Sequence, residues 1–335
     1  MKVRGIVSII AAAAVIAGAT GAATTPRARA ATPAYNLILN WFPEPEEGGF
    51  YEAQRLGLYQ KAGVSSSINE FGFSISPEVN VLQGKAAFGM GNADEILQYN
   101  ARGAKLVAIL GTFQTNVQGI LWHAEDKTVH GLADFSNHTL IYSFGGGYEP
   151  YLLLKYKYKN FKTKNNDFTS RAFAADPKAV NQCFVTSEPY QWAKQGLKVK
   201  YALIANSGYN PYGSIIFTTQ DMVNKHPDAV RAFVKASVQG WYSYLKDSKA
   251  TNAYMMTAAG AKNYPMKPDA QNFSYSQLVH LHLIDGGDAT THGIGWFNVN
   301  RWKTLQQQMV AVGQKVGSVD LTKAFTNQFL PGKLS

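Results

Sequence analysis

The chain has 335 residues, of which 46% are hydrophobic and 16% charged, so its composition is that of a folded protein and excludes a largely disordered one. The formal net charge is +10, with basic residues scattered along the chain, which disfavours a dedicated nucleic-acid binder. Cys183 is the only cysteine, which excludes an internal disulfide and favours a buried thiol within an apolar stretch.

The first thirty residues are typical of a cleaved signal peptide. Lys2 and Arg4 precede an apolar stretch over residues 5–23, and a small-x-small triplet follows at residues 28–30. A membrane anchor is the alternative, but the stretch is rich in Ala and Gly and leads to a cleavage-type triplet. No cysteine lies near the cleavage point, so a lipoprotein is not expected. We therefore expect export to the periplasm and a mature net charge of about +6.

Strands and helices alternate along the next part of the chain, a pattern that favours a parallel sheet covered by helices. The strands are predicted at residues 35–41, 64–71, 86–90 and 106–111, and the helices at residues 50–61, 77–84 and 94–102. The pattern restarts after Gln118, with strands predicted at 119–123, 139–143, 182–186 and 199–205 and helices at 130–135 and 148–159. A strand at 214–218 follows, and from Thr251 onward only helices are predicted.

No Gly/Ser-rich or Pro-rich linker separates these two halves, so we expect the chain to cross between them on two strand-like segments. The crossings are predicted at residues 114–116 and 209–213. Lobe 1 would then comprise residues 31–116 and 213–335, and lobe 2 residues 117–212. The predicted architecture is two α/β lobes joined by two hinge strands, with a ligand cleft between them.

Motifs for enzymatic chemistry are missing from the sequence. It has no Gly-Lys-Ser/Thr phosphate loop and no nucleophile elbow, and residues 89–91 lack the third glycine of a dinucleotide fingerprint. The seven histidines are dispersed, and His280 and His282 fall in a predicted helix. We therefore predict no catalytic residue, metal ligand or cofactor. The lysine-rich segment 155–164 is interpreted as a solvated helix face and the loop after it.

Polar and aromatic side chains follow several predicted strands of the first half. Trp41 and Phe42 end the first strand, where aromatic rings can stack on a flat ligand, although packing between lobes is an alternative role. Asn92 and Glu95 follow the third strand and are candidate ligand residues, with helix capping as the alternative.

Two further candidate segments lie in the second half. Gly146, Gly147 and Tyr148 occupy a glycine-rich turn from strand to helix, whose free amide groups favour polar or anionic ligand atoms. Glu188 and Tyr190 follow an apolar strand, where a carboxylate can accept hydrogen bonds from a ring N–H or an amino group. A plain flexible turn and an N-terminal cap are the respective alternatives.

Taken together, six segments resemble the SsuA/THI5-like (NMT1-like) solute-binding family. They are LNWFPEP at residues 39–45, GFYEAQ at 49–54, GLY at 57–59, GKAAFGMG at 84–91, QTNVQGI at 114–120 and TSEPY at 186–190. The resemblance implies a type II periplasmic-binding-protein fold, a small-molecule ligand and a partner that is the membrane permease of an ABC importer. A monomer and no nucleic-acid partner are expected.

The family's ligands include alkanesulfonates, nitrate, thiamine pyrimidine precursors and flavins, and the TrpPhePro opening is more similar to the pyrimidine and flavin binders. By this resemblance Trp41 stacks on the ring and Glu188 bonds to it. Three further residues, Gln114, Asn116 and Tyr190, line the cleft, and Tyr148 and Tyr212 add aromatic surface. Two alternatives stay open: a binder of a small anion such as a sulfonate or nitrate, and a THI5-like pyrimidine synthase. The synthase is disfavoured because yeast-type members carry a cysteine-rich iron-binding motif.

Overall fold

A computed structural model describes residues 35–64, 67–69, 76–143 and 147–334. The predicted signal peptide and Gly146 lie outside the described residues, as does half of the strand predicted at 64–71. The described strands are β1 (Leu37–Ile38), β2 (Ile68–Asn69), β3 (Phe88–Gly91), β4 (Leu106–Leu110), β5 (Gln118–His123), β6 (Thr139–Tyr142), β7 (Lys162–Asn165), β8 (Ala179–Phe184), β9 (Val199–Leu203) and β10 (Ile215–Thr219).

Helices account for most of the remaining regular structure. The described helices are α1 (Gly48–Arg55), α2 (Leu58–Lys61), α3 (Pro77–Leu82), α4 (Ala93–Ala101), α5 (Tyr148–Tyr156), α6 (Arg171–Ala175), α7 (Glu188–Lys194), α8 (Gln220–Lys225), α9 (Pro227–Lys246), α10 (Lys249–Met255), α11 (Pro268–His280), α12 (Ala289–His292), α13 (Val299–Ala311) and α14 (Leu321–Ala324). Short 3-10 turns lie at Pro45–Glu47, Leu132–Asp134, Ile204–Ser207 and Gly260–Lys262. In the part of the chain that is described, no helix combines the length and apolar character needed to span a bilayer.

The strands form two five-stranded mixed sheets. The first has the order β2-β1-β3-β10-β4, with β10 antiparallel to both of its neighbours. The second has the order β7-β6-β8-β5-β9, with β6 parallel to β7 and β8. The strands of the first sheet fall within the ranges predicted for lobe 1, and those of the second fall within 117–212. The boundary residues of the lobes stay a prediction.

The edge of the second sheet differs from the sequence prediction. Residues 162–165, predicted as loop, form strand β7, and helix α5 ends at Tyr156 because Lys157 adopts a left-handed conformation with φ of 52°. All four side chains of β7 are exposed. Since the strand lacks a buried face, no apolar alternation marks it in the sequence, and its lysines are typical of a protected sheet edge.

The two predicted crossings lie side by side. Phe113 and Gly213 form an antiparallel bridge, and the backbone N–H of Asn116 donates to the side chain of Asn210 at 2.9 Å. Arg301 of α13 binds both segments, because its guanidinium donates to the carbonyl oxygens of Gln114, Asn210 and Pro211. A single half-buried cation therefore holds the two crossings in a fixed relation.

Helices α1 and α9 meet at a glycine contact that leaves no room for a side chain. A Cβ at Gly240 would lie 2.1 Å from the carbonyl oxygen of Gly49, and a Cβ at Gly49 would lie 2.1 Å from the Trp241 ring. Since real Cβ atoms do not approach backbone oxygen that closely, the two helices can pack at this distance only with glycine at both positions.

We predict that Gly240→Ala lowers the free energy of unfolding by about 1–3 kcal/mol, because the added methyl group forces α1 and α9 apart. Urea unfolding followed by circular dichroism measures the change. Gly131→Ala is the matched control, since a Cβ there meets nothing within 4 Å, and it should leave the unfolding curve unchanged. Equal stability of the two variants would contradict the close helix contact.

Candidate ligand-binding cleft

Two neighbouring cavities lie between the sheets. We name the first the aromatic cavity: it has a volume of about 220 Å³, and its main walls are Trp41, Phe168, Phe184 and Tyr264, with Glu44 and Glu188. We name the second the polar cavity: it has a volume of about 270 Å³ and is lined by Asn92, Asp94, Glu95, Gln98, Asn116, Gly147 and Tyr148. Gln118, Ser143 and Gln182 line both, so the two cavities are contiguous.

The walls of the aromatic cavity come from distant parts of the chain. Trp41 follows β1, Phe168 follows β7, and Tyr264 precedes α11. The indole of Trp41 lies 5.7 Å from the ring of Phe168 and 6.1 Å from that of Tyr264, measured between ring centres. Phe42 stacks on Tyr264 from behind at 5.5 Å with an interplanar angle of 8°. The result is a preorganised apolar slot for a flat ring.

Carboxyl groups close one side of the aromatic cavity. The Trp41 indole N–H donates to Glu44 at 3.2 Å, and the Phe184 N–H donates to Glu188 at 2.8 Å. Burial raises the pKa of Glu188 to about 7 and raises that of Glu44 well above its usual range, where the nearby charge of Glu46 adds to the effect. Because Glu188 can be protonated near neutral pH, its carboxyl group can either donate or accept a hydrogen bond.

The turn that carries Glu44 also joins the two lobes. Glu46 accepts hydrogen bonds from the hydroxyl of Thr186, which follows β8, and from that of Ser274 on α11 at 3.1 Å. Burial raises the pKa of Glu46, and these hydroxyl donors partly offset that shift. These hydrogen bonds hold the turn that carries Glu44 against both lobes.

The polar cavity is built on the N-terminus of α4. The backbone N–H of Asn92 donates to Glu95 at 2.7 Å, and the hydroxyl of Tyr209 donates to Asp94 at 3.4 Å. Burial, together with the charges of Glu78 and Asp94, raises the pKa of Glu95 to about 8. At neutral pH this cavity therefore offers both donors and acceptors.

Seven of the residues predicted to bind ligand line these cavities. Trp41 and Glu188 line the aromatic cavity. The polar cavity is lined by Asn92, Glu95, Asn116, Gly147 and Tyr148. Phe42 is buried behind Tyr264 and supports the wall without lining it.

Three predicted residues lie elsewhere, so their assignment to the cleft lining is corrected. The buried amide of Gln114 donates to the carbonyl oxygens of Gly111 and Trp296, because the crossing segment turns it into lobe 1. Tyr212 lies beneath Arg301, whose guanidinium carbon is 3.8 Å from the ring centre.

Tyr190 is the third of these residues. It faces an open outer groove of about 550 Å³, where its hydroxyl donates to Asp269 at 2.7 Å, because α7 directs it away from the cavities. The side chain therefore contributes to a contact between lobes at the surface.

Sequence reasoning missed several lining residues. Gln118 and Gln182 carry a recognisable signal, since each is a polar side chain within an apolar strand segment. Glu44, Phe168 and Tyr264 carry no such signal. The first lies in a proline-rich turn and the other two in loops, whose direction depends on tertiary packing.

The arrangement is suited to recognition. Aromatic rings and carboxyl groups converge on the first cavity, and amides, a hydroxyl and carboxyl groups converge on the second. Burial raises the pKa of the Cys183 thiol, which disfavours the nucleophilic thiolate. Within the described ranges, no group of three or more His, Cys, Asp or Glu side chains is placed to hold a metal ion.

The two lobes and the cleft between them have a periplasmic-binding-protein fold, and solved structures share this fold. The alkanesulfonate-binding protein SsuA from Xanthomonas axonopodis pv. citri, bound to MOPS, aligns with a TM-score of 0.63 at 13% identity, covering 89% of this chain and 100% of its own. The ligand-binding component of an ABC-type import system from Staphylococcus aureus, with zinc bound, aligns with a TM-score of 0.62 at 11% identity, covering 88% and 97%.

The sequence matches the family model described as NMT1/THI5 like over residues 44–250, and the chain belongs to that family. A relative from Chloroflexus aurantiacus, named riboflavin-binding protein RibY, is 25% identical over 336 residues. The match covers 94% of this chain and 91% of the relative. The family resemblance and the periplasmic-binding-protein fold predicted from the sequence are therefore confirmed.

The raised pKa of Glu188 has a consequence for stability. The folded state holds the Glu188 proton up to about pH 7, whereas a carboxyl group in the unfolded chain loses its proton near pH 4.5. Between these values the folded state binds more protons, so this group makes the free energy of unfolding fall as the pH rises from about 4.5 to 7.

We predict that Glu188→Gln loses less stability than the wild type between pH 5 and pH 8, because its side chain cannot ionise. Urea unfolding at both pH values measures the difference. Glu125→Gln, at an exposed position, is the matched control and should follow the wild type. Parallel pH dependence of the Glu188→Gln variant and the wild type would rule out a raised pKa at Glu188.

Proposed function

We propose that this protein is an exported solute-binding protein of an ABC importer. It captures a flat heteroaromatic nutrient, a flavin or a thiamine-type pyrimidine, between its two lobes and performs no covalent chemistry on it. The observation that carries the proposal is the aromatic cavity, in which Trp41, Phe168 and Tyr264 surround a space edged by Glu44 and Glu188. A flat ring fits the aromatic walls, and its N–H, amino or carbonyl groups can pair with the carboxyl groups.

The charges of the cleft favour this ligand class over a small anion. Among the described residues that line either cavity, the charged types are all carboxylic acids: Glu44 and Glu188 in one, Asp94 and Glu95 in the other. The described linings therefore offer no cationic side chain to pair with a buried sulfonate or nitrate, and a small anion does not need an aromatic slot. The relative named riboflavin-binding protein supports the same choice.

Export and delivery complete the proposal. Residues 1–30 act as a cleaved signal peptide, and the mature chain works in the periplasm without a lipid anchor. The lobes comprise residues 31–116 with 213–335, and residues 117–212. A monomer presents the closed, loaded form to the membrane permease. Support comes from the sequence features of the first thirty residues and from the family's transport role.

Trp41→Ala tests whether the aromatic cavity binds the ring of the ligand. We predict that the mature protein binds riboflavin or hydroxymethylpyrimidine by calorimetry, and that the variant weakens this binding about tenfold because a stacking wall is lost. Trp296→Ala is the matched control, since Trp296 is also half-buried but stacks on His292 outside both cavities. It should leave the affinity unchanged. Heat from a sulfonate, with none from either heterocycle, would overturn the ligand assignment.

Ligand should also favour lobe closure. Contacts between the lobes, such as Thr186 with Glu46 and Tyr190 with Asp269, form only when the cleft is shut. We predict a smaller radius of gyration by small-angle scattering when saturating riboflavin or hydroxymethylpyrimidine is added. Bound ligand with unchanged dimensions would contradict closure.

A further inference from the structure

The aromatic cavity alone is small for a ligand site. Its volume is about 220 Å³, below the roughly 300 Å³ at which ligand pockets usually begin. The adjoining polar cavity of about 270 Å³ brings the continuous space into the usual range. A ligand that fills this space must extend past the seam of Gln118, Ser143 and Gln182, which line both cavities.

The seam contains hydrogen-bonding groups that are open to a ligand. The side-chain oxygen of Gln182 accepts from the Ser143 N–H at 2.9 Å and from the Tyr148 hydroxyl at 3.0 Å, and these two bonds fix the orientation of its amide. The backbone N–H of Gln118 donates a hydrogen bond to the side chain of Asn116. The side-chain amide of Gln118 makes no hydrogen bond with any residue that the structure describes. A ligand hydroxyl placed here would supply this half-buried amide with a hydrogen-bond partner.

The polar cavity differs in chemistry from its neighbour. Its walls carry the amides of Asn92, Asn116 and Gln98, the carboxyl groups of Asp94 and Glu95, and one aromatic residue. Hydroxyl groups on adjacent carbon atoms can pair with such a mixture of hydrogen-bond donors and acceptors, because each hydroxyl both donates and accepts. A charged phosphate does not match it, since the described lining contains no cationic side chain to pair with the phosphate.

We propose that the polar cavity is the second half of the ligand site and takes an uncharged, polyhydroxylated chain attached to the stacked ring. This inference rests on the proposed function, because the ring in the aromatic cavity places the chain at the seam. The ligand class is therefore a heterocycle bearing a polyol chain, rather than a bare ring or a phosphorylated one.

The test compares three flavins on the mature protein by fluorescence titration. Riboflavin carries a neutral polyol chain, lumiflavin carries a methyl group in its place, and flavin mononucleotide carries a terminal phosphate. We expect riboflavin to bind at least about tenfold more tightly than lumiflavin, because lost hydroxyl contacts are worth about this much together. Flavin mononucleotide should also bind about tenfold more weakly than riboflavin, since the described lining of the polar cavity offers its phosphate no cationic partner.

Two variants separate the subsites. Glu95→Gln, which keeps the size of the side chain, should weaken riboflavin several-fold and leave lumiflavin unchanged, because only the chain reaches Glu95. Trp41→Ala should weaken both flavins by the same factor. A loss of lumiflavin affinity in Glu95→Gln equal to that for riboflavin would assign Glu95 a structural role and contradict the subsite.

The remaining outcomes are distinguishable. Equal affinity for riboflavin and lumiflavin overturns the chain subsite and leaves the proposed function intact, and so does binding of hydroxymethylpyrimidine without riboflavin. Flavin mononucleotide that binds as tightly as riboflavin overturns the requirement for an uncharged chain. Binding of no flavin and no pyrimidine overturns the proposed function and the inference together.

Discussion

The cleft depends on one half-buried cation at the hinge, Arg301. Arg301 donates to backbone oxygens of both crossing segments, at 2.6 Å for Asn210 and 3.2 Å for Pro211, and its guanidinium stacks over the Tyr212 ring. Burial lowers the pKa of Arg301, but a guanidinium stays charged in proteins. Its rigid fork suits several carbonyl oxygens at once, which a lysine does not provide. Arg301 therefore fixes the relative position of the two lobes at a point beside the ligand site.

The position of the two lobes also determines how deeply the carboxyl groups of the cleft are buried. Glu44, Glu46 and Glu188 come from both lobes and lose water when the lobes meet, so burial raises the pKa of each. Buried carboxyl groups with raised pKa values in a cleft are a mark of functional sites, because their cost to stability needs a compensating use. Glu46 has a structural partner in Thr186, whereas Glu188 lines the cavity.

Sheet geometry explains why the cleft has two halves. Gln118 begins β5 and pairs with Phe184 at the end of β8, while Ser143 follows β6 on the other side of β8. The ends of the adjacent strands β6, β8 and β5 therefore lie side by side, and these ends form the seam between the cavities. Lobe 1 then supplies different surfaces on each side: the aromatic turn after β1 faces one half, and the N-terminus of α4 faces the other.

The sequence by itself determined the order of strands and helices, the alternation between two sheets and the residues at the strand ends. Trp41, Asn92 and Glu188 were found in this way, because apolar periodicity is local and a residue directly after a buried strand must emerge at the sheet edge. The same reasoning missed β7, which has no buried face to leave a pattern.

Tertiary structure alone decided which side chains meet. Gln114 turns inward and Tyr190 outward, although both lie in segments that resemble family motifs, because packing of the crossing and of α7 sets their direction. Phe168, with 55% of its surface exposed, reaches Trp41 across the cleft from lobe 2, whereas Tyr264 reaches it from a distant segment of lobe 1. Their encounter depends on contacts far apart in the chain, which no local pattern of residues encodes.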